Sequence, residues 1–171
     1  MDRIANLLNA TAVAICDAQT AETSRRCGLK SSATAAILML GQHEGQTVTD
    51  VALVAGISHS AMVRLIEGLD RQGLVTRTSG KDKRKIECAL TQTGRALYRE
   101  LRAAQTKVLS PLLECLSENE RSVMERALSK MLTTLTKDPD IGDHICRYCD
   151  EGVCPQDRCP VEVQSRVHAA S

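Results

Sequence analysis

The chain has 171 residues, a formal net charge of +1, eight cysteines, no Trp and no Phe; Tyr98 and Tyr148 are its two tyrosines. That length suits one domain with an appendage, and a core restricted to Leu, Ile, Val, Met and Ala favours helices over a β-sandwich. The composition leaves no aromatic platform for stacking single-stranded bases, and the near-neutral charge requires any nucleic-acid contact to come from local basic clusters.

Helical spacing of Ile4, Leu7, Leu8, Thr11 and Ile15 predicts a first amphipathic helix from Asp2 to about Ala21. A second helix, capped by Ser31 or Ser32, runs through Ile37, Leu38 and Leu40, with Gly41 as its expected end. Thr47, three residues before Asp50, opens a short helix through Val51, Ala52 and Ala55. Gly56-Ile57 makes a tight turn. Ser58 then caps a fourth helix striped by Met62, Leu65, Ile66 and Leu69. Two helices joined by a short glycine-containing turn are the pattern of a helix-turn-helix.

A short strand, Leu74-Val75-Thr76-Arg77, follows. Ser79 to Lys85 is a polar turn, and Ile86, Cys88 and Leu90 alternate onto the expected inner face of a second strand. The result is a β-hairpin with a strongly basic tip. Thr91 caps a long helix carrying Leu97, Leu101, Ala104 and Val108, which Pro111 should kink or end. Ser117 and Glu120 form a capping box for a last helix through Met124, Leu128, Met131, Leu132 and Leu135. Asp138-Pro139 stops that helix, and an irregular tail is expected beyond it.

In that tail Cys146, Cys149, Cys154 and Cys159 stand at 2-4-4 spacing within fourteen residues. Four thiolates so close together can wrap one soft metal ion or cluster. An iron–sulfur cluster is the first expectation, zinc the second and metal-free thiol switching the third. Cys154-Pro155 and Cys159-Pro160 resemble the Cys-Pro end of iron–sulfur ligand runs, whereas the spacing is that of a zinc knuckle with Cys154 in the histidine position. His144 would be a superfluous fifth ligand. Cys16, Cys27, Cys88 and Cys115 are scattered and read as core fillers. Among them Cys27, beside Arg25 and Arg26, is the candidate for a lowered pKa, as an alternative to core filling.

Met1 to Leu8 lacks the basic and apolar regions of a signal peptide, and no apolar run approaches bilayer length. Clustered thiols without a secretion signal imply a reducing compartment, so the expected location is cytoplasmic, with no membrane partner.

The order helix-turn-helix, basic hairpin, long helix resembles the MarR family of winged helix-turn-helix regulators. Four segments carry the resemblance: Ile57 to Ile66; Leu69-Asp70-Arg71-Gln72-Gly73-Leu74-Val75; the wing's Asp82-Lys83-Arg84; and Leu90-Thr91-Gln92-Thr93-Gly94-Arg95. The expected fold class is therefore mainly α with a small β-hairpin wing. Residues 1–136 form a DNA-binding and dimerisation domain, and residues 137–171 form a cysteine-rich metal-binding tail. The resemblance implies a homodimer built from the first, fifth and sixth helices, a palindromic double-stranded operator, regulation by repression or activation, and effector control. It implies nothing about the cysteines.

Ser58, His59, Ser60, Ala61, Val63 and Arg64 begin the second helix of the pair, where side chains reach base edges in the major groove. Lys81, Lys83, Arg84 and Lys85 lie where a wing would reach the backbone and minor groove, with Asp82 as a structural acceptor. The histidines form no base or ligand spacing with carboxylates, and no thioredoxin-like pattern surrounds Cys146-x-x-Cys149, so an enzyme is not expected. The reading is a sequence-specific transcriptional regulator, expected to repress, whose four-cysteine metal centre senses redox, oxygen or metal status. Release of the tail would act through the last dimerisation helix. The alternative is a regulator triggered by a small organic effector, with a purely structural metal.

Overall fold

The computed structural model describes residues 2–79 and 86–169. Helix α1 (Arg3–Cys27) is longer than its apolar spacing indicates, because nothing breaks it before Gly28. Gly28 takes a left-handed conformation, and its N–H donates to the Ser24 carbonyl (2.9 Å). The last turns of α1 are tied to the long helix α5 (Gln92–Glu114) by Lys107–Glu22 (3.0 Å) and Arg26–Glu100 (3.3 Å).

Helix α2 (Ser31–Gln42) is the centre of the molecule, with every residue from Ala33 to Leu40 buried. A helix that is apolar all round is one enclosed on all sides, and α2 packs on α3 (Val48–Ala55), α5 and strand β3 (Ile86–Leu90). Gly41 does not end α2 but lies inside it. The ring of Tyr98 presses on the site where a side chain would stand, so glycine serves close packing there. The N-cap of α2 is Lys30 rather than a serine, with no side-chain cap bond.

Thr47 and Asp50 form the full capping box of α3. Gly56 closes α3 at φ 67°, and Ser58 caps α4 (His59–Arg71) by accepting from the Ala61 N–H (3.3 Å). Met62, Ile66 and Leu69 turn inward from α4. Beyond it, β2 (Val75–Ser79) pairs antiparallel with β3, in register from Val75 with Leu90 to Ser79 with Ile86. A two-residue strand, β1 (Gln46–Thr47), adds to the other side of β3, giving the order β1-β3-β2. Strand β1 is not foreseen from the sequence, being too short to carry a period. Cys88 and Leu90 face the core as expected, but Ile86, at the start of β3, is 42% exposed.

Thr91 joins the wing to α5. Its hydroxyl donates to the Gly73 carbonyl (2.6 Å) and accepts from the Gly94 N–H (3.0 Å). Gly94 lets the first turn of α5 close on the Leu74 carbonyl, where a Cβ would collide. This is the physical content of the Leu90-Thr91-x-x-Gly94 segment. Pro111 lies inside α5, which ends soon after it at Glu114. Helix α6 (Glu118–Leu135) begins at the Ser117–Glu120 capping box and buries none of its residues.

The tail is not irregular. Asp138 accepts from the Ile141 N–H (2.7 Å) and starts α7 (Pro139–Cys146), while Pro160 opens α8 (Pro160–Ala169). Proline stops one helix and suits the first turn of the next, so Asp138-Pro139 does both. Helix α7 packs on α3, and α8 packs on α6 and α7. At the α7–α8 crossing Gly142 admits Ser165, and Val161 is buried. Among the described residues no single helix is long and apolar enough to cross a membrane.

Candidate functional site

Ser58, His59, Ser60 and Arg64 are exposed along the start of α4, and the Ser58 and Ser60 hydroxyls lie 3.3 Å apart. Ala61 and Val63 are half-buried, and Val63 packs against the core. Arg77 of β2 reaches Glu67 of α4 (3.7 Å), holding hairpin and helix together. Between them opens a groove of about 320 Å³ whose lining includes Thr47, Asp50, His59, Val63, Arg77 and Ile86. Gly80, Lys81, Asp82, Lys83, Arg84 and Lys85 at the hairpin tip lie outside the described residues.

A second candidate site lies in the tail. Cys146, Cys149, Cys154 and Cys159 all line one cavity of about 200 Å³, together with His43, Asp143, Glu151 and Glu162. Among the described residues no group of three or more His, Cys, Asp or Glu side chains is arranged so that it could hold a metal ion. The thiols nevertheless interact. A hydrogen bond between Cys146 and Cys149 pushes the first thiol well above the ordinary range and pulls the second below it, and the Arg102 guanidinium further favours the Cys149 thiolate. Cys154 is raised by burial and then by Cys159. The Asp143 carboxyl is raised by burial, with Glu162 and Asp140 adding to it.

The loop bearing these thiols is held by long side chains of the helical core. Arg102 donates to the carbonyls of Tyr148 (3.0 Å) and Cys149 (2.7 Å), and Gln105 also donates to Tyr148 (3.0 Å). The Tyr148 hydroxyl donates to the Ser31 carbonyl (3.0 Å). The Glu151 N–H donates to the Gln42 side chain (2.8 Å), and the Glu151 carboxylate pairs with His43 Nε2 (2.8 Å). His144 is turned elsewhere: its Nδ1–H donates to the Val54 carbonyl (2.9 Å), and it does not line the cavity. His43 and Glu151 escape a sequence reading because they are 108 positions apart, and no spacing rule joins them.

The scattered cysteines differ from expectation. Cys88 is core, but Cys16 and Cys115 are exposed on this chain. The Cys27 thiol is raised rather than lowered: burial dominates, Glu100 adds to it, and Arg26 does not offset them.

Residues 28–85 match the family model described as MarR family. The fold is that of MarR-like winged helices. A MepR mutant from Staphylococcus aureus bound to an oligodeoxyribonucleotide aligns with TM-score 0.59 at 21% identity, covering 79% of this chain and 99% of that one. The uncharacterized HTH-type transcriptional regulator YfiV of Bacillus subtilis is 30% identical over 94 residues, 54% of this chain and 59% of that protein. The transcriptional repressor MprA of Escherichia coli is 25% identical over 111 residues, 63% of each chain. The chain thus spans about three fifths of the length of these curated relatives.

Proposed function

We propose that this protein is a dimeric, cytoplasmic, DNA-binding transcriptional repressor whose four tail cysteines hold a metal centre that reports redox, oxygen or metal status. For the DNA half, the supporting observation is the exposed start of α4 beside a hairpin whose sequence tip is basic. Ser58, His59, Ser60 and Arg64 can meet base edges, with Arg64 suited to guanine. Ala61 and Val63 offer apolar contact, and Lys81, Lys83, Arg84 and Lys85 would meet phosphates. The similar proteins support the same direction: the MepR mutant is bound to an oligodeoxyribonucleotide, and MprA is a transcriptional repressor. For the dimer, the support is apolar surface left exposed on α1 and α6: Ile4, Leu7 and Val13 on one, Val123, Leu128 and Leu135 on the other.

The observation that carries the sensor is the convergence of Cys146, Cys149, Cys154 and Cys159 on one cavity against the helix-turn-helix domain. What favours an iron–sulfur cluster over zinc is the pair of Cys-Pro steps, Cys154-Pro155 and Cys159-Pro160, which resemble the end of iron–sulfur ligand runs. Such a centre would supply electron-transfer or oxygen-labile chemistry, and Arg102 would offset part of its negative charge. The alternative, a small organic effector with a structural metal, has support in a cavity of about 220 Å³ lined by Cys16, Thr23, Leu29, Thr34, Gln105 and Tyr148.

Two measurements test the proposal. Duplexes enriched by the purified protein from a random pool should share a palindrome and bind a dimer; absence of enrichment removes the DNA reading. Anaerobically purified protein should show broad visible absorption that Cys149→Ser abolishes. A colourless protein with stoichiometric zinc would exclude the cluster, and one holding no metal would exclude the centre.

A further inference from the structure

We infer that Cys146 and Cys149 form a redox dithiol that closes to a disulfide by exchange with a small cationic disulfide. The inference needs no metal and goes beyond the proposed centre, with which it would compete for two of the four tail thiols.

The Cys149 N–H donates to the Cys146 carbonyl (2.8 Å), closing a turn over Arg147 and Tyr148 at the end of α7. Such a turn brings its end Cα atoms within about 7 Å, and a disulfide needs about 4.4–6.8 Å. The two thiols already share a hydrogen bond, so the covalent bond would replace a contact that exists. The turn is held from outside. Arg102 donates to the Tyr148 and Cys149 carbonyls, Gln105 donates to that of Tyr148, and Tyr148 packs against the core. None of these supports comes from Cys154 or Cys159.

Cys149 is exposed and Cys146 half-buried, which sets the order of attack. The Cys149 sulfur attacks one sulfur of the incoming disulfide, displaces one small thiol and is left in a mixed disulfide. The Cys146 sulfur then attacks the Cys149 sulfur and displaces the second small thiol. Two protein thiols are oxidised, one small disulfide is reduced, and both protons leave on the released thiols. The charge of the oxidant follows from the cavity on which the thiols converge. Its lining holds Asp143, Glu151 and Glu162 and, among the described residues, no lysine or arginine. Arg102 reaches the Cys149 carbonyl without lining that cavity. A cationic disulfide is drawn into such a field, and an anionic one is repelled.

The experiment uses the intact chain, reduced and stripped of metal under nitrogen, then treated with cystamine or with oxidised glutathione. Free thiols are then alkylated, and the denatured chain is cut with trypsin. Cleavage after Arg147 and Arg158 puts Cys146 on one peptide, Cys149 with Cys154 on a second and Cys159 on a third. Cystamine should link the first peptide to the second, leave Cys159 alkylated, and do the same in Cys154→Ser. In Cys146→Ser the mixed disulfide of Cys149 with cysteamine should accumulate instead. Relative to a free cysteine derivative, cystamine should outpace oxidised glutathione by about 10-fold or more at low salt, and by less at high salt. A link through Cys159, loss of the link in Cys154→Ser, or thiols that stay reduced overturns the dithiol. Equal relative rates overturn the cationic oxidant. Metal content and visible absorption of the untreated protein judge the metal centre separately: a colourless, metal-free chain that forms the link sinks that centre and leaves the dithiol standing.

Discussion

The helix-turn-helix body and the cysteine tail are held together by different physics. The body buries Ile37, Leu38, Leu40, Val51, Met62 and Ile66 almost completely, in a core drawn from four helices and a sheet. Each such side chain contributes roughly 1.5–3 kcal/mol by removal from water, a stabilisation that depends on no ligand. The tail buries Val161 and packs Tyr148 against the core, and much of its remaining attachment is polar: hydrogen bonds with Arg102, Gln105, Gln42, Val54 and Ser31, and the His43–Glu151 pair. Net contributions of such bonds are about 1 kcal/mol each. A segment attached this way can respond to what its thiols bind, while the body that presents α4 stays folded.

Loss of the proposed metal centre would be the sharpest way to break that contrast. Structural zinc supplies on the order of 10 kcal/mol or more to segments of this kind. Stripping or Cys146→Ser should therefore expose residues 137–169 to limited proteolysis while the body stays resistant. Equal loss of both regions would show a single cooperative unit. Within the body, Leu38→Ala should cost about 2–5 kcal/mol in urea denaturation, the usual range for a vacated core site, with no change in the metal content of the remaining folded protein.

Arg64→Ala touches neither core nor tail, so stability should hold while affinity for the enriched duplex falls by about 1–3 kcal/mol. Asp138→Ala removes the N-cap of α7 and should cost about 1 kcal/mol, read as faster cleavage at α7 alone. The smallest effect is on pH dependence. Glu22 is held down to about 2 by its hydrogen bonds with Arg25 and then Lys107. A carboxylate depressed in the fold stabilises above its ordinary pKa, and that contribution is lost as pH falls through the folded value. Glu22→Gln should thus lower Tm slightly at pH 7, with the difference vanishing near pH 2; a difference that grows in acid would assign the wrong sign to that pair.

Local features of this chain are legible in its sequence because the forces behind them act over a few residues. The capping boxes at Thr47–Asp50 and Ser117–Glu120, the Gly56 turn and the inward stripe of Met62, Ile66 and Leu69 all follow from spacing and hydrogen-bond chemistry. So does the pairing of β2 with β3. Gly41 reads as a helix end in sequence because its reason for being glycine, the Tyr98 ring, lies more than fifty positions away. The tail reads as irregular because α7 and α8 are short and gain their order from α3 and α6.

By itself the sequence determined the winged-helix order and the gathering of four thiols into one short run, since both are written in local spacing. Tertiary structure alone decided where that run docks. It put His144 on the α3 carbonyl end, Arg102 on the Cys149 carbonyl and His43 beside Glu151. Those contacts join positions between 47 and 108 residues apart. No periodicity links such partners, because only the packed helices bring them within hydrogen-bond reach.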